Sequence, residues 1–352
     1  MKTAEIRIAK KLIGSNHPPY VIAEMSGNHN GSLERALALV DAAAAAGADA
    51  IKLQTYTANT MTLDIHEDEF LVSEAHGLWT GRSLYDLYGE AHTPWEWHAP
   101  IMERAVQRGI ACFSSPFDDT AVDLLESLDV PAYKIASFEC THIPLIRRVA
   151  ATGKPIIIST GMATYAEIDD EVRAAREAGC RELILLKCTS NYPATPENSH
   201  LRTINHLREA YECEVGLSDH TLGIGVPIAA VALGATVIEK HFTLARDDGG
   251  VDSAFSADPS ELKQLVQEAK RAWQALGKVH VGPSDTELAS IAYRRSIYVV
   301  VDVKAGDMFT EKNLRCIRPG RGLSPKYLER ALGHRASRDI QRGEPLSWAM
   351  VA

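Results

Sequence analysis

Residues 214–242 read Glu-Val-Gly-Leu-Ser-Asp-His220, then Thr-Leu-Gly-Ile-Gly-Val-Pro-Ile-Ala-Ala-Val-Ala-Leu-Gly234, then Ala-Thr-Val-Ile-Glu-Lys-His-Phe242. Two short β-rich runs, Glu214–Leu217 and Thr236–Lys240, flank a helical segment, Gly223–Leu233. The same alternation extends back to the start of the chain. Further β-rich runs stand at Val21–Met25, Ala50–Gln54, Ile110–Ser114, Ala132–Ala136, Pro155–Ser159 and Leu183–Lys187, which brings the total to eight. Between them, segments such as Ser32–Ala46, Trp95–Arg108 and Tyr165–Ala178 carry helical periodicity. Gly47 and Gly109 follow two of these segments, where a helix C-terminus favours a left-handed residue. Eight βα units predict an α/β fold of the TIM (β/α)8 barrel type. An open doubly wound sheet usually has fewer strands, and no GxGxxG follows the first run.

The barrel is expected to occupy residues 1–276. One connection in it is unusually long. More than fifty residues separate the second and third runs, and Trp79, Trp95 and Trp97, three of the chain's five tryptophans, lie there with Tyr85 and Tyr88. A loop leaving the C-terminal end of a barrel strand opens onto the active-site face, so this insertion suits a lid that contacts a sugar. Any single aromatic in it reads better as a staple that holds the loop to the barrel. Beyond the helix Pro259–Leu276, residues 277–290 read as a linker and 291–352 as a small second domain. A strand is expected at Ser296–Val303. The segment Asp302-Val-Lys-Ala-Gly306 recurs as Asp339-Ile-Gln-Arg-Gly343, which suggests a duplicated turn unit.

Composition narrows the function classes. The chain has 352 residues, 45% hydrophobic and 24% charged, and a net charge of −9. That balance is ordinary for a soluble globular protein, and the basic stripe that a nucleic-acid partner requires is absent. Anionic substrates must therefore meet local cations. The six cysteines form no CxxC pair, Met1–Leu12 has no hydrophobic signal core, and no run has the length of a membrane span. The expected location is the cytoplasm, without disulfides.

Chemistry in a barrel gathers at the C-terminal strand ends. In order these supply Glu24, Lys52 with Gln54, Ser114-Ser115, Lys134 with Ser137 and Glu139, Ser159-Thr160, and Cys188-Thr-Ser190-Asn191-Tyr192. Hydroxyls, amides and two lysines suit a phosphate or carboxylate, which needs several donors and one or two point charges. His220 and His241 follow the seventh and eighth runs. Adjacent strands lie about 4.8 Å apart, so two imidazoles at equal heights can share one divalent cation. Either histidine alone would read better as a core residue; the pair favours a metal. Mixed N/O coordination suits Mn, Co or Zn and also accommodates Mg.

These motifs together resemble the sialic acid synthase family, which joins phosphoenolpyruvate to acetamido hexoses. The stretches that carry the resemblance are Ile22-Ala-Glu-Met-Ser-Gly-Asn-His-Asn-Gly31, Lys52-Leu-Gln-Thr55, Tyr133-Lys-Ile-Ala-Ser137, Gly216-Leu-Ser-Asp-His220, Val237-Ile-Glu-Lys-His241 and Arg318-Pro-Gly320 with Gly322. They span nearly the whole chain. The C-terminal part resembles the family's antifreeze-like (SAF, β-clip) domain, which in a domain-swapped homodimer closes the partner's site. Within the family, the segment Gly77–His98 and Cys112-Phe-Ser-Ser-Pro-Phe117 are similar to the members whose sugar is a 2,4-diacetamido-2,4,6-trideoxy-altrose. The alternative is a member that makes N-acetylneuraminic or legionaminic acid from a manno-configured sugar.

The resemblance implies His220 and His241 as ligands of a divalent metal, with Mn2+ favoured and Mg2+ or Co2+ as alternatives. It places Lys52, Ser115, Lys134, Ser137, Ser159, Ser190 and Ser218 around phosphoenolpyruvate, and Gln54, Glu139, Tyr192 and Asp252 around the sugar. Relatives carry threonine and asparagine where Ser115 and Ser190 stand. Arg318, or its neighbour Arg321, answers to the arginine that approaches the sugar's acetamido group. Glu24 is the acid/base candidate, and products of such reactions go to bacterial surface glycans or flagellin. A metal hydrolase would show more His and Asp ligands, a Schiff-base aldolase one lysine and no metal, and a purely carbohydrate-binding protein no need of the histidine pair.

Overall fold

Continuous burial along the short β-rich runs is what parallel strands covered on both faces require. In the computed structural model, which describes residues 5–73 and 78–352, they form a closed barrel. An antiparallel hairpin precedes it, made of β1 (Ile6–Ile8) and β2 (Lys11–Ile13). The barrel strands are β3 (Tyr20–Glu24), β4 (Ala50–Thr55), β5 (Ala111–Pro116), β6 (Tyr133–Ile135), β7 (Ile156–Ser159), β8 (Leu183–Cys188), β9 (Glu214–Asp219) and β10 (Val237–His241). All neighbours are parallel, and β10 closes the ring by pairing with β3. Met1–Ala4, which begin the N-terminal segment, and Gly77, which heads the insertion motif, lie outside the described residues.

The helices in chain order are α1 (Leu33–Ala46), α2 (Ala58–Met61), α3 (Leu84–Ala91), α4 (His98–Arg108), α5 (Asp119–Ser127), α6 (Ile143–Ala150), α7 (Tyr165–Glu177), α8 (Thr203–Tyr211), α9 (Gly225–Ala232) and α10 (Pro259–Leu276). Helices α2 and α3 belong to the long β4–β5 insertion, and the others connect or follow the strands. Local signals set their ends. Ser32 caps α1 by accepting from Arg35 N, and Gly47 ends it at φ 90°, a conformation that a Cβ would strain. Thr164 and Glu167 form a capping box on α7. The buried face of α1, with Ala36, Leu39, Val40 and Ala43, joins the single core that surrounds the strands.

The chain divides into two compact units at Gly277. In the second, β11 (Ser296–Val299) pairs antiparallel with β12 (Leu314–Ile317) over a core that includes Ile297, Phe309, Ile340 and Leu346. The strand expected to run to Val303 stops at Val299, where its pairing with Leu314, the first residue of β12, ends. The repeat is a structural duplication. Asp302 Oδ1 accepts from Arg342 N at 2.7 Å, and Asp339 Oδ1 accepts from Ala305 N at 2.9 Å. Val303 and Ile340 exchange both backbone bonds, so the two copies satisfy each other's turns around an approximate twofold.

Among the described residues no helix is long and apolar enough to cross a membrane, and all six cysteines are free thiols.

Candidate active site at the barrel mouth

Side chains alternate along a strand, so register decides which residues meet inside the barrel. Glu24 lies beside Lys52 in the β3–β4 register and beside His241 in the β10–β3 register, while Ser218 stands beside both Cys188 and Glu239. These residues, with Gln54, Lys134, Ser137, Glu139, Ser159, Tyr192, His220 and Asp252, line a cavity of about 300 Å³ at the C-terminal end of the barrel. That volume is at the lower end of small-molecule sites.

The floor of the cavity is a buried charge network. Lys52 Nζ lies 2.6 Å from Glu24 Oε2 and 3.6 Å from Glu239 Oε2. Lys134 Nζ lies 3.9 Å from Glu239 Oε1 and donates to Ser159 Oγ at 2.6 Å. Ser218 Oγ donates to Glu239 Oε1 at 3.0 Å, and Lys52 Nζ donates to Ser115 Oγ at 3.2 Å. Burial raises the Glu24 carboxyl to about 7 against the pull of Lys52. Burial also opposes ionisation of Glu239, yet Lys134 and Lys52 outweigh it and hold its pKa below the ordinary value. One carboxylate therefore stays charged between two lysines, while the other exchanges a proton near neutrality. Glu139 is likewise pushed by burial to about 7.

The histidines stand beside this network, His241 at the end of β10 next to Glu24 and His220 just past the end of β9. Their ring centroids lie 5.3 Å apart, with Tyr192 at 4.4 Å from the His220 ring and Phe255 at 4.9 Å from that of His241. The Thr189 carbonyl only accepts, so the 2.9 Å contact with His220 Nδ1 fixes the proton there, and the Cys188 thiol is the ring's other hydrogen-bond partner. His241 Nδ1 is buried without a hydrogen-bond partner. Burial, followed by the neighbouring His220, holds His241 far below the usual imidazole range, so it is neutral and its lone pair is available. The two rings fit a divalent cation as nitrogen donors. Among the described residues no group of three or more His, Cys, Asp or Glu is arranged around a metal, so further ligands would have to be water or substrate.

The remaining expected residues sort by position. Gln54 Nε2 donates to Glu24 Oε1 at 3.1 Å and to Ser26 Oγ at 3.2 Å, and Ser26 Oγ donates to Asp252 Oδ2. Ser115 and Ser190 each contact a residue of the cavity lining, Ser115 accepting from Lys52 and Ser190 lying 2.8 Å from Ser137 Oγ. Arg318 and Arg321 belong to the second unit. Sequence reading passed over Glu239, although its period-two spacing from His241 puts it on the same inward face. Cys188, to which the sequence alone attaches no role, lines the cavity, and His220 lowers its thiol to about 7 in spite of burial.

The NeuB family profile matches residues 39–281, and that of the SAF domain matches residues 294–352. The chain belongs to the NeuB family. It is 45% identical to a pseudaminic acid synthase of Campylobacter jejuni subsp. jejuni serotype O:2, covering 93% of this chain and 95% of the relative. It is 42% identical to a pseudaminic acid synthase of Helicobacter pylori, over 94% of this chain and 97% of that one. Among solved structures, the N-acetylneuraminic acid (sialic acid) synthetase of Leptospira borgpetersenii serovar Hardjo-bovis, in complex with citrate, superposes with a TM-score of 0.73 at 33% identity, covering 82% of this chain and 96% of that chain. The NeuB match spans strands β4 to β10, and so includes all the lysines and histidines of the cavity.

Proposed function

We propose that this NeuB-family chain makes pseudaminic acid, by condensing phosphoenolpyruvate with 2,4-diacetamido-2,4,6-trideoxy-β-L-altropyranose and water, with release of phosphate. The observation that carries this reading is the 42–45% identity to pseudaminic acid synthases over nearly the full length. The cavity chemistry supports it, since Lys52 and Lys134 with Ser137, Ser159 and Ser218 offer cations and hydroxyls to a phosphorylated carboxylate.

In the reaction, C3 of phosphoenolpyruvate attacks the aldehyde carbon of the open-chain sugar and the aldehyde oxygen takes up a proton. Water then adds at C2, and the C2–O bond to phosphate breaks. His220 and His241 would hold a divalent metal, with Mn2+ favoured, which when bound would supply Lewis-acid polarisation of the aldehyde. The lysines hold the phosphate and carboxylate charge. Ser115 and Ser190, in contact with Lys52 and Ser137, complete the phosphoenolpyruvate set. Glu24, buried against Lys52, is placed to carry the proton to or from the reacting oxygen. Gln54, Glu139, Tyr192 and Asp252 fall to the sugar.

A homodimer and a cytoplasmic location complete the reading. Phe138, Met162 and Leu222 stand exposed on three separate strand-end loops, a surface that the C-terminal domain of a second copy would cover, bringing Arg318 or Arg321 to the sugar. Free, mostly buried thiols suit a reducing compartment, and the product would feed surface glycans or flagellin.

The test supplies purified protein with Mn2+, phosphoenolpyruvate labelled with 18O at the bridging oxygen, and either the altrose-type or the manno-type trideoxy sugar. Labelled phosphate and a nine-carbon acid should form with the altrose-type sugar. No phosphate with either sugar overturns the synthase assignment, and a preference for the manno sugar overturns the stereochemical one.

A further inference from the structure

The share of the cavity lining contributed by the β4–β5 insertion is almost wholly carbon. Helix α3 presents Leu84, Leu87, Tyr88 and Ala91 to the cavity, the i, i+3, i+4, i+7 spacing of a single helical face. Met61 and Val72 extend that face, and Val251 reaches it from the loop after β10.

The wall is also held in place. Trp79 Nε1 donates to Val251 O at 2.9 Å, so the indole N–H is already committed. The Tyr56 and Tyr88 rings meet edge to face at 5.7 Å. At Gly27 an added Cβ would lie 2.3 Å from Val251 Cγ2 and 3.2 Å from Ala91 Cβ, so the turn after β3 is pressed directly against the wall. What lines the cavity here is aliphatic and aromatic, from Met61, Val72, Trp79, Leu84, Leu87 and Ala91, with Tyr56 and Tyr88 as the residues that carry a hydroxyl.

A sugar hydroxyl turned toward such a surface loses its water partners and gains few in return. A C-methyl group or the methyl of an acetamide loses nothing and buries apolar area. We infer that the α3 face is the subsite for the deoxygenated end of the sugar, and that it selects a 6-deoxy diacetamido hexose over the 6-hydroxy sugar of the same configuration. The inference rests on the substrate class proposed above and adds the residues that read it. A carbon wall rejects an added hydroxyl by only about a hundredfold, which sets the expected size of the effect.

The experiment compares kcat/KM for the 6-deoxy and 6-hydroxy altrose-type sugars, using the full chain as wild type, Leu87→Asn and Ala91→Ser. The wild type should favour the deoxy sugar by about a hundredfold, and each variant should bring the ratio to within about tenfold with KM for phosphoenolpyruvate unchanged. Ala91→Ser adds a single oxygen, so it keeps the comparison meaningful should Leu87→Asn fold poorly. A wild-type ratio near one, or a ratio unmoved in Ala91→Ser with an unaltered melting curve, overturns the inference while leaving the synthase reading intact. Turnover of the manno-type sugar alone overturns the substrate reading, and this inference with it.

Discussion

Lys240 Nζ lies 2.5 Å from Asp219 Oδ2, with both side chains buried on the outer side of the strands that carry His220 and His241. The period of two that turns Ser218, His220, Glu239 and His241 inward turns Asp219 and Lys240 outward. Lys240 also donates to Thr221 O at 2.5 Å, and Asp219 Oδ1 accepts from Thr221 N and Oγ1, so the pair clamps the turn around His220 to the residue preceding His241. Lys240→Met strands a carboxylate in the interior and should cost about 3–5 kcal/mol in urea unfolding. The double variant Asp219→Asn/Lys240→Met should recover a large part of that loss; equal destabilisation in single and double variants would show that charge pairing is not what the clamp supplies.

Glu24 and Lys52 divide chemistry from binding. Glu24→Gln keeps the size and one hydrogen bond of the group but cannot exchange a proton, so kcat should fall by roughly 10²–10⁴-fold with KM for phosphoenolpyruvate near its original value. Lys52→Met removes a point charge from the anion site and should chiefly raise that KM. Steady-state kinetics on the two variants would reject this division if the pattern came out reversed.

His220→Ala and His241→Ala should each abolish metal-stimulated turnover, while a chelator should do the same to the unmodified protein. The readout beyond activity is Mn2+ binding followed by electron paramagnetic resonance of free ion. Each variant should leave the ion in solution at concentrations where the wild type takes it up, and full uptake by either would remove that residue from the ligand set.

The barrel was readable because each stave is a short run of buried β-rich residues closed off by a helix, and the sequence spacing of those runs survives folding. The histidine pair was readable because adjacent strands put equivalent positions side by side. Glu239 was not, since Val-Ile-Glu-Lys-His looks like any strand end until Lys52 and Lys134, from strands far away in sequence, are seen on either side of its carboxylate. The insertion drew notice for its tryptophans, yet the spacing of Leu84, Leu87, Tyr88 and Ala91 sets the character of the wall. The β-rich run Ser296–Val303 is longer than its strand because the run continues past the point where the pairing partner ends.

Glu171, on the inner face of α7, is fully buried with no hydrogen-bond partner on either oxygen, and burial lifts its pKa from 4.5 to about 9. A carboxyl that ionises in the unfolded chain but stays protonated in the fold makes the native state the better proton binder. Stability contributed by this group is therefore present below about pH 4.5 and lost progressively as pH rises toward 9. Glu171→Gln removes the ionisation and should leave the protein more stable than wild type by about 1 kcal/mol or more at pH 8, with the gap narrowing toward pH 5. Melting curves across that range check the slope, and a gap independent of pH would mean that Glu171 finds a partner when charged.

Two glycines separate effects on the site from effects on the barrel. A Cβ at Gly161 would meet Ser190 Oγ at 2.3 Å and Cys188 Sγ at 3.1 Å, both side-chain atoms. A Cβ at Gly216 would meet the Val237 carbonyl oxygen at 2.2 Å, where β9 and β10 run together. A hydroxyl can rotate away, whereas a backbone carbonyl in a closed sheet cannot. Gly161→Ala should therefore keep the melting temperature within a few degrees of wild type and raise KM for phosphoenolpyruvate, because Ser190 loses its place against Ser137. Gly216→Ala should lower stability by about 1–3 kcal/mol or prevent folding, as overpacking in a fixed core does. Equal melting temperatures for the two variants would mean that the barrel yields at β9, and the position of His220, which follows that strand and also contacts the Thr189 carbonyl, would then be softer than its hydrogen bonds suggest.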